Sequence, residues 1–312
     1  MDNSRPRLQE STVVEFLSRL PSGPPGETWI GDDTAVVARP VGALLLAADS
    51  VVAGVHADLS LVGIDDLGWK AVVANVSDMA AMGCRPTHAL VTLAGPLGEI
   101  DLELLYDGLG AAAERYGCPI VGGDLSAAPT LVVTVAMVGD GGPVPPAPVL
   151  RSGARPGDLL FVTGLLGSSG AGLELLRTGS GTDAPELVRA HRRPEARLEE
   201  GAAARAAGAT AMIDISDGLS TDLGHLADAS GVGVVVAHVP VAAGATEALA
   251  LGGGEDYELL FAVGAADIAR IERAFAEAGL RPPLRIGRCT ADAAERRLGD
   301  GDLPRTGWEH RW

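Results

Sequence analysis

Residues 139–149 read GDGGPVPPAPV, with six prolines and glycines in the first eight positions. No helix or central strand runs through such a segment, because proline removes a backbone donor and glycine adds chain entropy. It therefore divides the chain. Before it, the pattern predicts an amphipathic helix at 8–20, a PSGPPG turn at 21–26, strands at 34–38 and 43–48, and a loop through Gly54. A long helix at 65–82 follows, then strand 87–94, helix 101–116, strand 118–121, a Gly-Gly-Asp loop and strand 130–138. After it come strand 158–163, a Gly/Ser loop, helix 169–177 and a loose segment at 178–194. Helix 195–207, strand 210–214, helix 219–230, strand 232–238, strand 258–263, helix 266–278 and a charged tail complete the pattern. Alternating helices and strands predict an α/β (α+β) class with two domains, 1–146 and 147–312.

Composition narrows what such domains can do. With 312 residues and 47% apolar content the chain can bury a sizeable core, which excludes a disordered acidic chain. Its 41 acidic and 24 basic residues give a formal charge of −17, which argues against nucleic acid and anionic membranes as partners. Cys84, Cys118 and Cys289 are far apart and form no C-x-x-C pair, so neither a disulfide framework nor a zinc site is expected. The start, MDNSRPRLQE, has no apolar core of a signal peptide, and the longest apolar stretches, such as 131–138, are strand-sized. A soluble, cytoplasmic protein is expected.

The carboxylates carry the chemistry. Asp32 and Asp33 (IGDDTAVV), Asp49 (LLLAADSVV), Asp124 (IVGGDLS), Asp214 and Asp217 (IDISDGLSTDLG), and Glu255 and Asp256 (GGGEDYELLF) stand beside small residues, most next to expected strands. Asp78 (NVSDMAAMG) falls late in helix 65–82. Hard oxygen ligands at rigid strand ends suit magnesium, which completes its octahedron with substrate phosphate. Any one of these residues could cap a helix or turn instead, Ser216 and Asp217 most readily. Six or more of them together favour metal and phosphate chemistry.

The usual nucleotide and nucleophile motifs are absent. No G-x-x-x-x-G-K-[ST] occurs, the single lysine being Lys70 in GWKAVV, and no G-x-G-x-x-G follows a strand. The loop GLLGSSGAG at 164–172 could cradle an anion or simply make a tight turn. Gly122-Gly123-Asp124 allows a ligand close to the backbone. His56 sits in a loop, with no second histidine at zinc spacing. No G-x-S-x-G or Cys/His pairing suggests covalent catalysis.

Taken in order, IGDDTAVV, ADSVVAGVH, GWKAVVANVSDMAAMGCRP, GGD, RSGARPGD, VTGLLGSSGAGL, IDISDGLSTDLGHLADASGVG and GGGEDYELLF resemble the thiamine-monophosphate kinases, within the ATP-binding superfamily of aminoimidazole ribonucleotide synthetase. The resemblance runs from about residue 10 to the C-terminal GWEHRW. It implies ATP-dependent phosphorylation of thiamine monophosphate to thiamine diphosphate, an N-terminal domain dimerising through its sheet, and a site between the domains. On matching positions it implies that Asp33, Asp49, Asp78, Asp124 and Asp214 bind several magnesium ions, with Asp217 holding another. Gly123, Asp124, Arg151 and Ser216 would lie along ATP, with Tyr106. His56 and Glu255 would contact the substrate, with Trp308 or Trp312 beside the thiamine.

Three departures bear on the ligands. Ala47-Ala48 replace the family's Ser-Thr before Asp49, so only their backbone carbonyls could ligate metal. Leu125 replaces Thr after GGD. The tail ends Gly307-Trp308-Glu309-His310-Arg311-Trp312, and Gly307 and His310 keep the register of Trp308. The competing readings are another ATP-dependent enzyme of the superfamily and a non-catalytic magnesium- and nucleotide-binding dimer.

Overall fold

The structure, a computed structural model, describes residues 23–30, 34–40, 42–142 and 146–308. The expected helix 8–20, Asp33 and Trp312 lie outside them. The chain forms two compact units: Met1–Asn75 with Pro86–Gly142, and Val76–Arg85 with Pro143–Trp312.

In the first unit a four-stranded sheet has the order β1-β4-β2-β3, from β1 (Leu44–Val52), β2 (Arg85–Gly95), β3 (Ile120–Ala127) and β4 (Val132–Asp140). β1 and β4 are antiparallel, and β2 and β3 parallel. Val133, Val135 and Met137 of β4 are buried and alternate with half-buried positions, as a sheet with one covered face requires. Ala48 faces Ala136 and Leu46 faces Val138 on the other side, where Leu44 and Leu46 are 58% and 72% exposed. Helix α1 (Ile64–Ala81) starts in the first unit and its residues from Val76 on count with the second, whereas α2 (Leu102–Tyr116) lies wholly in the first. α2 starts where Asp101 accepts from the Leu104 N–H and ends on left-handed Gly117.

The second unit holds a seven-stranded sheet of order β11-β10-β7-β9-β5-β8-β6. Its strands are β5 (Leu159–Val162), β6 (Ala211–Asp214), β7 (Gly233–Val236), β8 (Leu259–Val263), β9 (Leu284–Thr290), β10 (Arg296–Leu298) and β11 (Gly301–Asp302). Every residue of β5, β6 and β8 is buried, so their continuous apolar runs reflect cover on both faces. Leu160, Val162 and Ile213 pack with Leu219, Leu223 and Leu226 of α6 (Leu219–Ser230) and Leu251 of α7 (Glu247–Gly252). On the opposite face Phe161 stacks on Phe261 at 5.7 Å, and Phe261 on Phe275 of α8 (Ile268–Glu277) at 6.1 Å. Three further helices are α3 (Ser168–Thr178), α4 (Pro185–Arg192) and α5 (Leu198–Ala206).

Several expectations are corrected. The strand at 34–38 is only a bridge between Thr28 and Val36. The GGD segment lies inside β3, and the loose stretch 178–194 contains α4, started by Pro185. α5 begins at Leu198 rather than 195. Among the described residues no helix is long and apolar enough to cross a membrane.

Two glycines of α2 make opposite predictions. A Cβ on Gly108 would stand 1.8 Å from the Asp65 carbonyl oxygen, whereas Gly110 has nothing within 4 Å. Gly108→Ala should cost about 1–3 kcal/mol by overpacking. Gly110→Ala should be neutral or stabilising by up to about 1 kcal/mol through helix propensity. Urea denaturation of both variants checks this, and equal effects would contradict the close α1–α2 approach.

Candidate active site

The second unit concentrates acidic side chains at the end of β6. Asp214, 4% exposed, closes the strand, and its Oδ2 accepts from the buried Ser77 hydroxyl at 2.7 Å. Asp78 follows Ser77 directly. Residues 215–218 then turn into α6, whose N-cap is Gly218 without a side-chain cap. The turn is held from within the helix: Asp222 accepts from the Asp217 and Gly218 N–H groups, both at 3.1 Å. Ser216 and Asp217 are therefore not the caps that sequence allowed. Asp222 is 2% exposed, and burial, reinforced by the Asp214 and Asp217 charges, pushes its carboxyl up to about 8. Asp217, Asp222 and the exposed His225 bring one ligand atom each within 4.8 Å of one another.

A second segment lies along this turn. Glu255 donates its N–H to the Ser216 carbonyl at 2.7 Å and Tyr257 to Ile215 at 2.9 Å, while Ile215 donates to Glu258 at 2.7 Å. Trp308, 46% exposed, donates to the Asp217 carbonyl at 3.0 Å. Ser216, Asp217, Glu255 and Trp308 thus share one backbone-bonded platform next to Asp214 at the end of β6. The Glu255 Oε2 is 3.6 Å from Nδ1 of buried His191, which is itself 3.1 Å from the Ser169 hydroxyl. Glu258, 5% exposed, pairs with Arg197 at 2.7 Å and accepts from Thr163.

The Gly/Ser loop 164–172 is not an open anion cradle. Asp256 accepts from Gly167 N–H at 2.6 Å and Ser169 N–H at 3.1 Å, so an internal carboxylate takes the donors at the α3 N-terminus. Burial pushes Asp256 up to about 6, with those two N–H groups opposing the rise.

Ala47, Ala48 and Asp49 lie on β1, with Ala48 and Asp49 exposed, and Gly123 and Asp124 are exposed on β3 at the other edge of the same sheet. Asp124 accepts from Ser126 at 3.1 Å. A Cβ on Gly123 would stand 1.8 Å from the Val91 carbonyl oxygen, so strand pairing alone demands glycine there. His56 follows β1, and its Nδ1 accepts from the Val52 N–H at 3.0 Å, which leaves Nε2–H as the donor of the neutral ring. Tyr106 is buried in α2, and burial pushes its hydroxyl up to about 12. Arg151 is exposed, its carbonyl accepting from Ser230 at the far end of α6 from Asp217. Sequence reasoning missed Ser77, Asp222 and His191 as parts of this region. The signal for Asp222 was an acid in the first turn of α6, four residues after Gly218.

Metal-free protein should lose stability as pH rises. Asp222 binds its proton with a pKa of about 8 when folded against 3.8 ordinarily, so the folded state holds more protons between those values. The stabilisation is complete below the lower value and lost as pH climbs through the upper one. Denaturation in chelator between about pH 4 and about pH 8 should show this fall, with a flatter profile in Asp222→Asn. An equally steep profile in the variant would assign it to other groups.

Residues 31–140 match the family model of the AIR synthase related protein N-terminal domain, and 155–299 that of the C-terminal domain. A thiamine-monophosphate kinase of Salmonella typhimurium is 39% identical over 304 residues, 90% of each chain. A crystal structure of thiamine-monophosphate kinase from Stenotrophomonas maltophilia is similar at a TM-score of 0.78 and 30% identity, over 94% of this chain and 96% of that one. A solved structure of AaThiL complexed with AMPPCP and TMP is similar at a TM-score of 0.75 and 33% identity, over 96% of this chain and 95% of that one. The chain belongs to the thiamine-monophosphate kinase family.

Proposed function

We propose that this chain transfers the γ-phosphoryl group of ATP directly to the phosphate of thiamine monophosphate, releasing ADP and thiamine diphosphate. The observation that carries the reading is the platform joining Ser216, Asp217, Glu255 and Trp308 through backbone bonds next to Asp214 at the end of β6, at positions matching the family's motifs. The relative bound to AMPPCP and TMP supports the same pair of substrates.

Donor and acceptor are both anionic phosphates and repel. The donor set in the second unit suits a hard cation: carboxylate oxygens crowd closely enough for Asp214 and Asp217 to raise the proton affinity of Asp222. In the second unit Asp78, Asp214 and Asp217 would hold magnesium; in the first unit Asp33, Asp49 and Asp124 would do so, and the Ala47 and Ala48 carbonyls could add ligands. Bound magnesium supplies charge neutralisation at the phosphate oxygens. The protein then supplies position. Ser77 fixes the Asp214 carboxylate, and Asp222 fixes the turn that presents Asp217. In this reading Gly123, Asp124, Arg151, Ser216 and Tyr106 line ATP, Arg151 as a phosphate partner. His56 donates from Nε2 to the acceptor phosphate, and Glu255 and Trp308, with Trp312 as the alternative aromatic, meet the thiamine.

The reading includes a homodimer through the open face of the first unit's sheet, supported by the exposed Leu44 and Leu46. It also includes a cytoplasmic setting, supported by three buried cysteines, none in a disulfide.

The test is turnover of ATP with thiamine monophosphate, read as ADP and thiamine diphosphate. ATP hydrolysis without the thiamine product would sink the proposal. Asp78→Asn should lower turnover by roughly a hundredfold or more with the fold intact by circular dichroism. His56→Ala should raise KM for thiamine monophosphate about tenfold while moving that for ATP far less. An equal effect on both substrates would place His56 elsewhere.

A further inference from the structure

Glu255 and Tyr257 are the only non-glycine residues with positive φ among the described residues, at 58° and 49°. A left-handed backbone costs an L-residue on the order of 1 kcal/mol or more and persists only where its surroundings impose it. Tyr257 is bulky and buried, which makes its conformation the more unusual of the two. Asp256 stands between them. Its backbone belongs to the strained turn, but its carboxylate reaches to another element and takes the Gly167 and Ser169 N–H groups at the start of α3. Ser169 also carries the hydroxyl 3.1 Å from His191, whose Nδ1 is 3.6 Å from the Glu255 carboxylate. The start of α3 therefore meets both the strained turn, through Asp256, and the partner of Glu255, through His191.

We propose that Asp256 is a positioning residue for the substrate: seated on the α3 N-terminus, it clamps the 254–257 turn so that the Glu255 carboxylate is held beside His191 in a binding-ready orientation. This rests on the reading of Glu255 as a contact for thiamine monophosphate. Asp256 does not itself meet the ligand. Both its carboxylate oxygens are engaged by backbone donors, and its effect passes through the conformation of its neighbour.

Asp158 provides a control of like chemistry. It is 6% exposed and accepts from the Arg155 N–H at 3.0 Å and the Thr210 hydroxyl at 2.7 Å, so it too is a buried loop-holding carboxylate. Its loop carries no residue assigned to thiamine monophosphate; Arg151, assigned to ATP, lies four residues before Arg155.

The experiment measures binding of thiamine monophosphate by calorimetry in the presence of AMPPCP and magnesium. The proteins are wild type, Asp256→Ala, Asp256→Asn, Asp158→Ala, Glu255→Gln and the Glu255→Gln/Asp256→Ala pair. Asp256→Ala should weaken binding of thiamine monophosphate about tenfold, with the Kd of AMPPCP within about twofold of wild type. Asp256→Asn, which keeps one acceptor oxygen, should fall between and serves if the alanine variant does not fold. Asp158→Ala should lower the melting temperature without weakening thiamine monophosphate. In the Glu255→Gln background, adding Asp256→Ala should cost little more, because both changes act through one contact. Unchanged affinity in a folded Asp256 variant, equal loss for both ligands, or additive losses in the double variant would each overturn the proposal. A wild-type protein that does not bind thiamine monophosphate at all would instead overturn the functional reading on which it rests.

Discussion

Three backbone hydrogen bonds, Glu255 to Ser216, Tyr257 to Ile215 and Ile215 to Glu258, join a strained turn to the end of β6. The acidic platform of the second unit depends on that pairing. It brings Glu255 beside the Asp214–Asp217 turn, and the bond from Trp308 to Asp217 adds the tail to the same platform. Neither segment is a regular strand here, and nothing in local propensity would hold a glutamate and a tyrosine at positive φ. Side chains of the turn and of the residue after it reach out to other elements: Asp256 to the α3 N-terminus, and Glu258 to Arg197 and Thr163.

The acidic residues consequently divide into two kinds. Asp222, Asp256 and Glu258 are 5% exposed or less, or engaged by backbone donors, and each holds a loop by accepting from groups inside the protein. Asp214, Asp217 and Glu255 are the ones held. In a chain of charge −17 the first kind spends carboxylates on internal architecture, and the second gathers negative charge that a hard cation can balance. Opposite demands meet at Asp222, which holds the turn carrying Asp217 while feeling the charges of Asp214 and Asp217.

How much of this was legible in the sequence follows from the same distinction. The fully buried strands LLFV, AMID and LLFAV announce themselves as apolar runs, whereas the grouping of Val76–Arg85 with the second unit has no mark in the sequence. The motif order was enough to identify the family, because glycines and acids at ligand-facing turns are fixed by what they must approach. Helix α4 was not legible: PELVRAHR is only eight residues long and follows the turn-forming SGTDA, so its buried face of Leu187, Val188 and His191 spans barely two turns. GGD was read as a loop because glycines suggest a turn, whereas Gly123 is needed where β3 passes the Val91 carbonyl. Asp222 was not singled out, and Asp256 stood among the acids read as suited to metal and phosphate. Only the three-dimensional register shows their oxygens turned onto backbone N–H groups five and about 90 residues away.

In the proposed reaction this chain contributes position and charge rather than a nucleophile, the phosphoryl group passing straight from ATP to its phosphate acceptor. ATP made chiral at the γ-phosphorus with three oxygen isotopes tests that most directly. The configuration at the terminal phosphorus of the thiamine diphosphate formed should be inverted, as one in-line displacement requires. Retention would require two displacements through a phosphorylated side chain and would contradict the account.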